Sequence, residues 1–247
     1  MGIGVTENNH PLFPWRRWAY NLAMRWAILL AVAFLGALEA LAEPRYPAAD
    51  RPWTQADYVN FYFSHYNGNQ ALPHLRSAPT KAVFARLVDQ GNVERILAAP
   101  QPDAEKLRQV ALILSITGEA RAAYNYAVAL GEPLQQELTQ VQIFALYLVD
   151  VSVRLTGAVP DRRWRSSAWK TTLFGVLLSL SERDVYFTAQ RMAFTDALAE
   201  YYPGIEPALN ATDRRQFHDG IASLIAAEPD ADMRAAQTRL LRAGADP

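Results

Sequence analysis

The chain contains no cysteine. Disulfides, thiolate metal sites, a cysteine nucleophile and thioether-bound haem are therefore excluded outright. Lysine is scarce too. Beyond residue 42 only Lys81, Lys106 and Lys170 occur, and the whole chain sets 24 basic against 25 acidic residues for a formal net charge of -1. Proteins that grip nucleic acid carry a strongly basic face, so no nucleic-acid partner is expected. The sequence also lacks H-E-x-x-H, G-x-S-x-G and a phosphate-binding glycine loop. It lacks as well the Glu-Ser followed by a Gly-x-Met-Gln-like segment that a lytic transglycosylase would carry. No alternating apolar and polar run competes for strand structure. No catalytic residue, metal site or cofactor is assigned.

What is present begins at the N-terminus. Arg25 leads into an apolar run of 13 residues, Trp26 to Leu38, which ends in the small-residue site Ala40-Leu41-Ala42. Charge, apolar core and small-x-small site are the three parts of a secretory signal peptide, so residues 1–42 are expected to be removed between Ala42 and Glu43. Met24 would itself start a compact signal. Residues 1–23 are accordingly expected to be an extended n-region or a mis-assigned start, without folded structure. A spanning helix needs roughly 20 apolar residues, and Glu39 interrupts this run, so no integral membrane span is expected after cleavage. Arg16 and Arg17 lie too far upstream to act as a twin-arginine signal. The reading places the protein in the periplasm or outside a bacterial cell.

Removing the signal leaves roughly 200 residues, enough for one large domain with a sizeable core. Pro44, Pro47 and Pro52 mark residues 43–53 as an extended leader, and residues 54–247 are expected to form a single helical domain. Thr54 can cap a first helix stopped at Gly68. Further helices are expected from Pro79 to Gln90, with Gly91 as terminator, from Val93 to Ala98, and from Asp103 to Gly118. Glu119 to Leu130, Pro133 to Thr156, Ala168 to Leu180, Asp184 to Tyr201, Thr212 to Ala227 and Asp230 to Arg242 follow. Val141 to Val153 is apolar on nearly every side, and Leu173 to Leu178 nearly so. Helices of that kind are normally buried. The expected fold is thus all-α: stacked helical hairpins forming an irregular bundle or short α-solenoid-like array around two buried central helices.

The 27 residues from Leu107 to Pro133 resemble one tetratricopeptide unit in outline: a helix, a turn at Gly118, a second helix rich in small residues and Tyr, and a closing proline. They lack that family's Trp-Leu-Gly-Tyr pattern, and the outline does not recur at a period of roughly 34 residues. Stacked hairpins are expected, membership of the family is not.

Four groups of residues are candidates for chemistry or binding. Seven rings fall within the fourteen residues from Trp53 to Tyr66. Val59, Tyr62, Phe63 and Tyr66 share the i, i+3, i+4, i+7 face expected to be buried, which leaves Tyr58, Phe61 and His65 as a possible surface for a ligand or partner. Arg162, Arg163 and Arg165, interleaved with Trp164 and followed by Trp169 and Lys170, could touch an anionic lipid or acidic partner. Asp150 stands alone among apolar residues, where a carboxylate can act as a general acid, but Arg154 at i+4 is placed to pair with it. His65, His74 and His218 have no metal-ligand spacing. Asn210-Ala211-Thr212 matches a glycosylation sequon, and Thr212 can equally cap a helix.

These features favour an exported helical scaffold or interaction module of the cell envelope, with an unidentified envelope protein or polymer as partner. The alternative is an envelope hydrolase or small-ligand binder working through a carboxylate or the aromatic face near His65.

Overall fold

The computed structural model describes residues 46–66, 68, 70–157 and 167–243. They belong to the second of the chain's two units, Pro44–Pro247; the first, Met1–Glu43, lies outside them, and with it the expected signal peptide and the expected cleavage between Ala42 and Glu43. Among the described residues the regular structure is entirely helical: α1 Gln55–Tyr66, α2 Ala78–Leu87, α3 Gln90–Ala98, α4 Asp103–Ala129, α5 Gln135–Gly157, α6 Ser167–Ser181, α7 Thr188–Ile205, α8 Ala211–Ala227 and α9 Ala231–Ala243, with a 3₁₀ turn at Glu206–Ala208.

Helix α5 is the axis of the core. From Val141 to Ser152 every residue but Ile143 is buried. Its length and composition would suit a membrane crossing, yet 72% of its most apolar window is covered by the protein itself. The covering comes from α4, which runs along it, and from α6 and α7. Helix α7 packs in turn on α9, and α9 on α8. An apolar Leu or Val side chain contributes about 1.5–3 kcal/mol when fully buried, so wrapping α5 is the largest single source of cohesion. The second expected central helix is buried on one side only. Trp169, Leu173, Val176 and Leu180 of α6 face the core, whereas Leu178 is 60% exposed.

Helix ends follow side-chain chemistry, sometimes against the expected residue. Asp89 caps α3 by accepting from the Gly91 N–H at 2.9 Å, so Gly91 starts a helix rather than ending one. Asn210, not Thr212, caps α8 by accepting from the Asp213 N–H, and Asp230 does the same for α9. The separator expected at Gly118 is absent. Helix α4 passes through it unbroken for 27 residues, so Leu107–Pro133 is one long helix and a turn rather than a hairpin. The real terminator is Gly131, at φ 90°. The Glu132 N–H reaches back to the Ala127 carbonyl and the Gly131 N–H to that of Val128, the paired bonds of a Schellman close.

The proline-containing leader is partly built into the domain. Trp53 is 2% exposed; its backbone N–H donates to Asn92 Oδ1 at 2.9 Å and its indole N–H to the Ala48 carbonyl at 3.0 Å. Tyr46 stacks on Phe61 with ring centroids 5.8 Å apart. The extended backbone was legible from the prolines; the docking of Trp53 depends on Asn92, 39 residues away.

A buried ion pair fastens the C-terminal helices. Arg191 of α7 and Glu228 at the end of α8 pair with side chains 5% and 1% exposed. Arg191 also donates to the Leu180 carbonyl at 2.9 Å, and Glu228 accepts from the Asp230 N–H at 3.2 Å. Removing one partner leaves a buried charge alone. Glu228→Ala is expected to lower unfolding free energy by about 3–5 kcal/mol in urea titration, with much of the loss recovered when both positions become Met. A loss below about 1 kcal/mol would show that the pair does not hold these helices.

Candidate functional site

The structure turns α1 the other way from the expected face. Tyr58 and Phe61 are buried at 0% and 2% exposure, whereas Val59, Tyr62 and Phe63 are half-buried and Tyr66 is 40% exposed. Tyr58 donates to the Leu87 carbonyl and accepts from Asn92 Nδ2 at 3.0 Å. His65 is half-buried, with Nδ1 3.0 Å from the Gln70 carbonyl. Tyr58, Phe61 and His65 therefore do not form an open ligand surface. Both stripes of the helix carry rings, so periodicity alone could not choose between them. The choice falls to the polar members: Asp57 lies on the buried side, and Arg51 and Thr54 satisfy it. Burial pushes the Asp57 carboxyl up, but these donors outweigh it and hold the group below the ordinary carboxylate value.

The other candidates separate. Arg162, Arg163 and Arg165 lie outside the described residues, and Trp169 beyond them is buried in the core. His74 contacts Thr80, and His218 sits 3.1 Å from the Tyr202 hydroxyl. No group of metal-ligating residues occurs among the described residues. The Asn210 side chain serves as the α8 cap.

Asp150 forms the expected pair with Arg154, Oδ2 to Nη2 at 2.7 Å. It lies against Gly204 of α7, where a Cβ would overlap its carboxylate. Tyr147 and Tyr201 stand nearby with ring centroids 5.9 Å apart, and burial pushes the Tyr147 phenol up to about 12. Burial is also the largest influence on Asp150 and raises its carboxyl above the ordinary 3.8, with Glu200 adding to the effect; Arg154 opposes both. The guanidinium loses that contest because its own side chain is 59% exposed and screened by water. The result is a carboxyl held up within an ion pair, consistent with the expected structural role.

A different group stands out by what it lacks. Arg121, on α4, is half-buried, and among the described residues no carboxylate or other acceptor takes a hydrogen bond from it. Burial lowers its pKa, opposed only by the neighbouring Tyr186. Its Nη1 lies against Gly175 of α6, so close that a Cβ there would stand 2.7 Å from it. The adjoining polar side chains are already engaged with one another. Ser179 donates to Gln142 Oε1 at 3.1 Å, or to the Gly175 carbonyl at the same distance, and Gln142 Nε2 donates to the Tyr186 hydroxyl at 3.1 Å. Glu182 bears electrostatically on Tyr186 but forms no ion pair with Arg121. The guanidinium of α4 thus lies against α6 at Gly175 and near Tyr186 in the turn before α7, and Gln142 of α5 is bonded to that tyrosine. Burial weakens its hydration, yet none of its nitrogens is among the buried atoms left without a partner, so water still reaches the guanidinium.

Comparison with protein-family models, curated proteins and solved structures gives no match. Function must be read from the site.

Sequence reasoning missed Arg121 because nothing local marks it. Four residues of small or polar type surround it in the chain, and its isolation is defined by α6, more than fifty residues later. The one sequence signal is Gly175 inside an apolar helix, where a glycine costs about 1 kcal/mol relative to alanine and calls for a packing reason.

The raised carboxyl gives a signed pH dependence. The folded state keeps the Asp150 proton to higher pH than the unfolded chain, so this group's contribution to stability falls as pH climbs above 3.8. Urea unfolding between about pH 4 and pH 7 should show wild type losing stability relative to Asp150→Asn as pH rises. A relative gain over that range would mean that Arg154, not burial, governs the carboxyl.

Proposed function

We propose that this protein is an exported helical interaction module of the bacterial cell envelope that engages an acidic group of a partner at Arg121. The observation that carries the reading is the guanidinium of Arg121, which has no acceptor among the described residues; exposed apolar side chains occur on the elements that carry its neighbours Gly175 and Tyr186. Leu178 follows Gly175 by one turn on α6 and is 60% exposed, and Phe187 follows Tyr186 and is 72% exposed. Arginine and large apolar side chains are common at anchoring points between proteins. The N-terminal run from Trp26 to Leu38 with Ala40-Leu41-Ala42 supports export, and the absence of cysteine is compatible with an oxidising compartment. The alternative, a hydrolase or small-ligand binder, would use a carboxylate such as Asp150, which is paired with Arg154, or the aromatic face near His65, where Tyr58 and Phe61 are buried.

The two halves of the proposal are tested separately. Fusing residues 1–45 to a phosphatase that matures only outside the cytoplasm should give an active reporter in a Gram-negative host; an inactive, full-length fusion removes the export claim. The tagged full chain, returned to the envelope fraction, should recover a partner whose yield drops about ten-fold or more with Arg121→Glu, equivalent to the loss of a charge-assisted hydrogen-bonded pair. Equal recovery by wild type and Arg121→Glu would remove Arg121 as the anchoring point.

A further inference from the structure

We infer that His218 is a pH-operated switch where α7 meets α8: neutral, its Nε2 accepts the Tyr202 hydroxyl proton, and protonated, the same nitrogen donates to Glu206. The switch is independent of the function proposed above.

One nitrogen faces two partners with opposite demands. His218 Nε2 lies 3.1 Å from the Tyr202 hydroxyl and 3.9 Å from Glu206 Oε1. Tyr202 lies in the last turn of α7, and Glu206 opens the 3₁₀ turn that follows. Burial, with Glu206 adding to it and Arg214 opposing, pushes the Tyr202 phenol up. The hydroxyl therefore keeps its proton and needs an acceptor, and among the described residues His218 is its partner. A neutral imidazole meets that need when its own proton sits on Nδ1. Nδ1 is not among the buried atoms left without a partner, and the His218 side chain is 30% exposed, so water receives that N–H.

Protonation reverses the role of Nε2. The imidazolium carries a proton on each nitrogen and accepts nothing. Nε2 must then donate, and Glu206 is the carboxylate within reach. The tyrosine cannot follow the ring. Tyr202 is 1% exposed and lies flat on Phe217, with ring centroids 4.1 Å apart, and Phe217 packs against Phe174 of α6. Charging His218 thus moves its bond from α7 to the turn after it, and leaves the Tyr202 proton without its acceptor.

Other charges near this place are engaged elsewhere or stand in water. On α8 itself Arg214 and Arg215, about one turn before His218, and Asp219 beside it are exposed. Helix α6 brings Lys170, which is paired with Asp213. Helix α9 brings Arg234, which donates to the Glu228 and Pro229 carbonyls, and the exposed Asp232, Arg239 and Arg242. On α7 the effect of Glu200 falls on Tyr201 and Asp150.

The two bonds have opposite pH signs. The Tyr202 bond belongs to the neutral ring, so its contribution to stability is present at high pH and is lost as pH falls through the histidine's titration. The Glu206 bond belongs to the charged ring and is lost as pH rises through the same titration. Histidine is the side chain whose charge changes within about pH 5 to 8, which sets the range of the exchange.

The test is a proton NMR titration of the purified full chain over about pH 5 to 8, with the His218 ring resonance assigned by its loss in His218→Gln. Tyr202→Phe keeps the stacked ring and removes the hydroxyl. It should raise the His218 midpoint by about 0.5 pH unit or more, because the neutral form loses its bond. Glu206→Gln should lower the midpoint by about 0.3 pH unit or more, because the charged form loses its anion. In the wild type the Tyr202 ring resonances should move with the same midpoint as His218, and in His218→Gln that response should vanish. Shifts of the two variants in the same direction, or a midpoint that either variant leaves in place, would overturn the switch. So would a Tyr202 response that survives in His218→Gln. If Tyr202→Phe loses its far-ultraviolet helix signal, the decision passes to Glu206→Gln and to the Tyr202 resonances of the wild type and His218→Gln.

Discussion

The structure depends on enclosing α5. A helix apolar on all sides cannot face water on any of them, and α4, α6 and α7 are placed where they are because each covers one of its faces. Two consequences follow. Helix α4 must be long enough to span the covered length, which is why it continues straight through Gly118. Polar atoms near the axis must find partners inside the protein, and Gln142, Ser179 and Tyr186 do so with one another. The leader joins this scheme at its edge, where Trp53 and Asn92 close the core next to α1.

Against that background the charged groups fall into two kinds. Arg191, Asp57, Asp150 and Glu228 are charged groups with short-range partners. Some neutral groups are less well served. The Ser64 and Thr117 hydroxyls and the Gln237 amide have no hydrogen-bond partner, each at the modest cost of a neutral group, about 1–3 kcal/mol. Arg121 differs: it makes no hydrogen bond or ion pair among the described residues, but it is half-buried and none of its nitrogens is among the buried atoms left without a partner. A half-buried guanidinium without a partner in the protein adds little to stability, which is the ground for proposing it as a point of recognition.

How far the sequence disclosed this arrangement can be traced residue by residue. The all-helical class and the burial of Val141–Val153 were legible because an uninterrupted apolar helix of that length has few alternatives. The Asp150–Arg154 pair was legible from its i, i+4 spacing. The buried face of α1 was not, since rings occupy both stripes and the deciding contacts come from Arg51, Asn92 and Leu87. Glycine was misread where it stood within a helix: Gly91 and Gly118 lie inside α3 and α4, and only Gly131, at positive φ, ends one. Gly175 and Gly204 serve neighbours instead, making room for Arg121 and Asp150. That role is invisible without the partner helix. Arg121 escaped for the same reason, because its surroundings are set by Gly175 and Tyr186, more than fifty residues later in the chain.

The central proposal is that Arg121 serves a partner rather than the fold. Its most direct test is the urea unfolding of the full chain with Arg121→Met, which preserves most of the side-chain volume and removes the charge. The account predicts that the variant is more stable than wild type without ligand, by about 0.5–2 kcal/mol, the usual gain when a functional liability is removed. A variant less stable than wild type would contradict it, and would make Arg121 a structural residue whose partner lies within the protein.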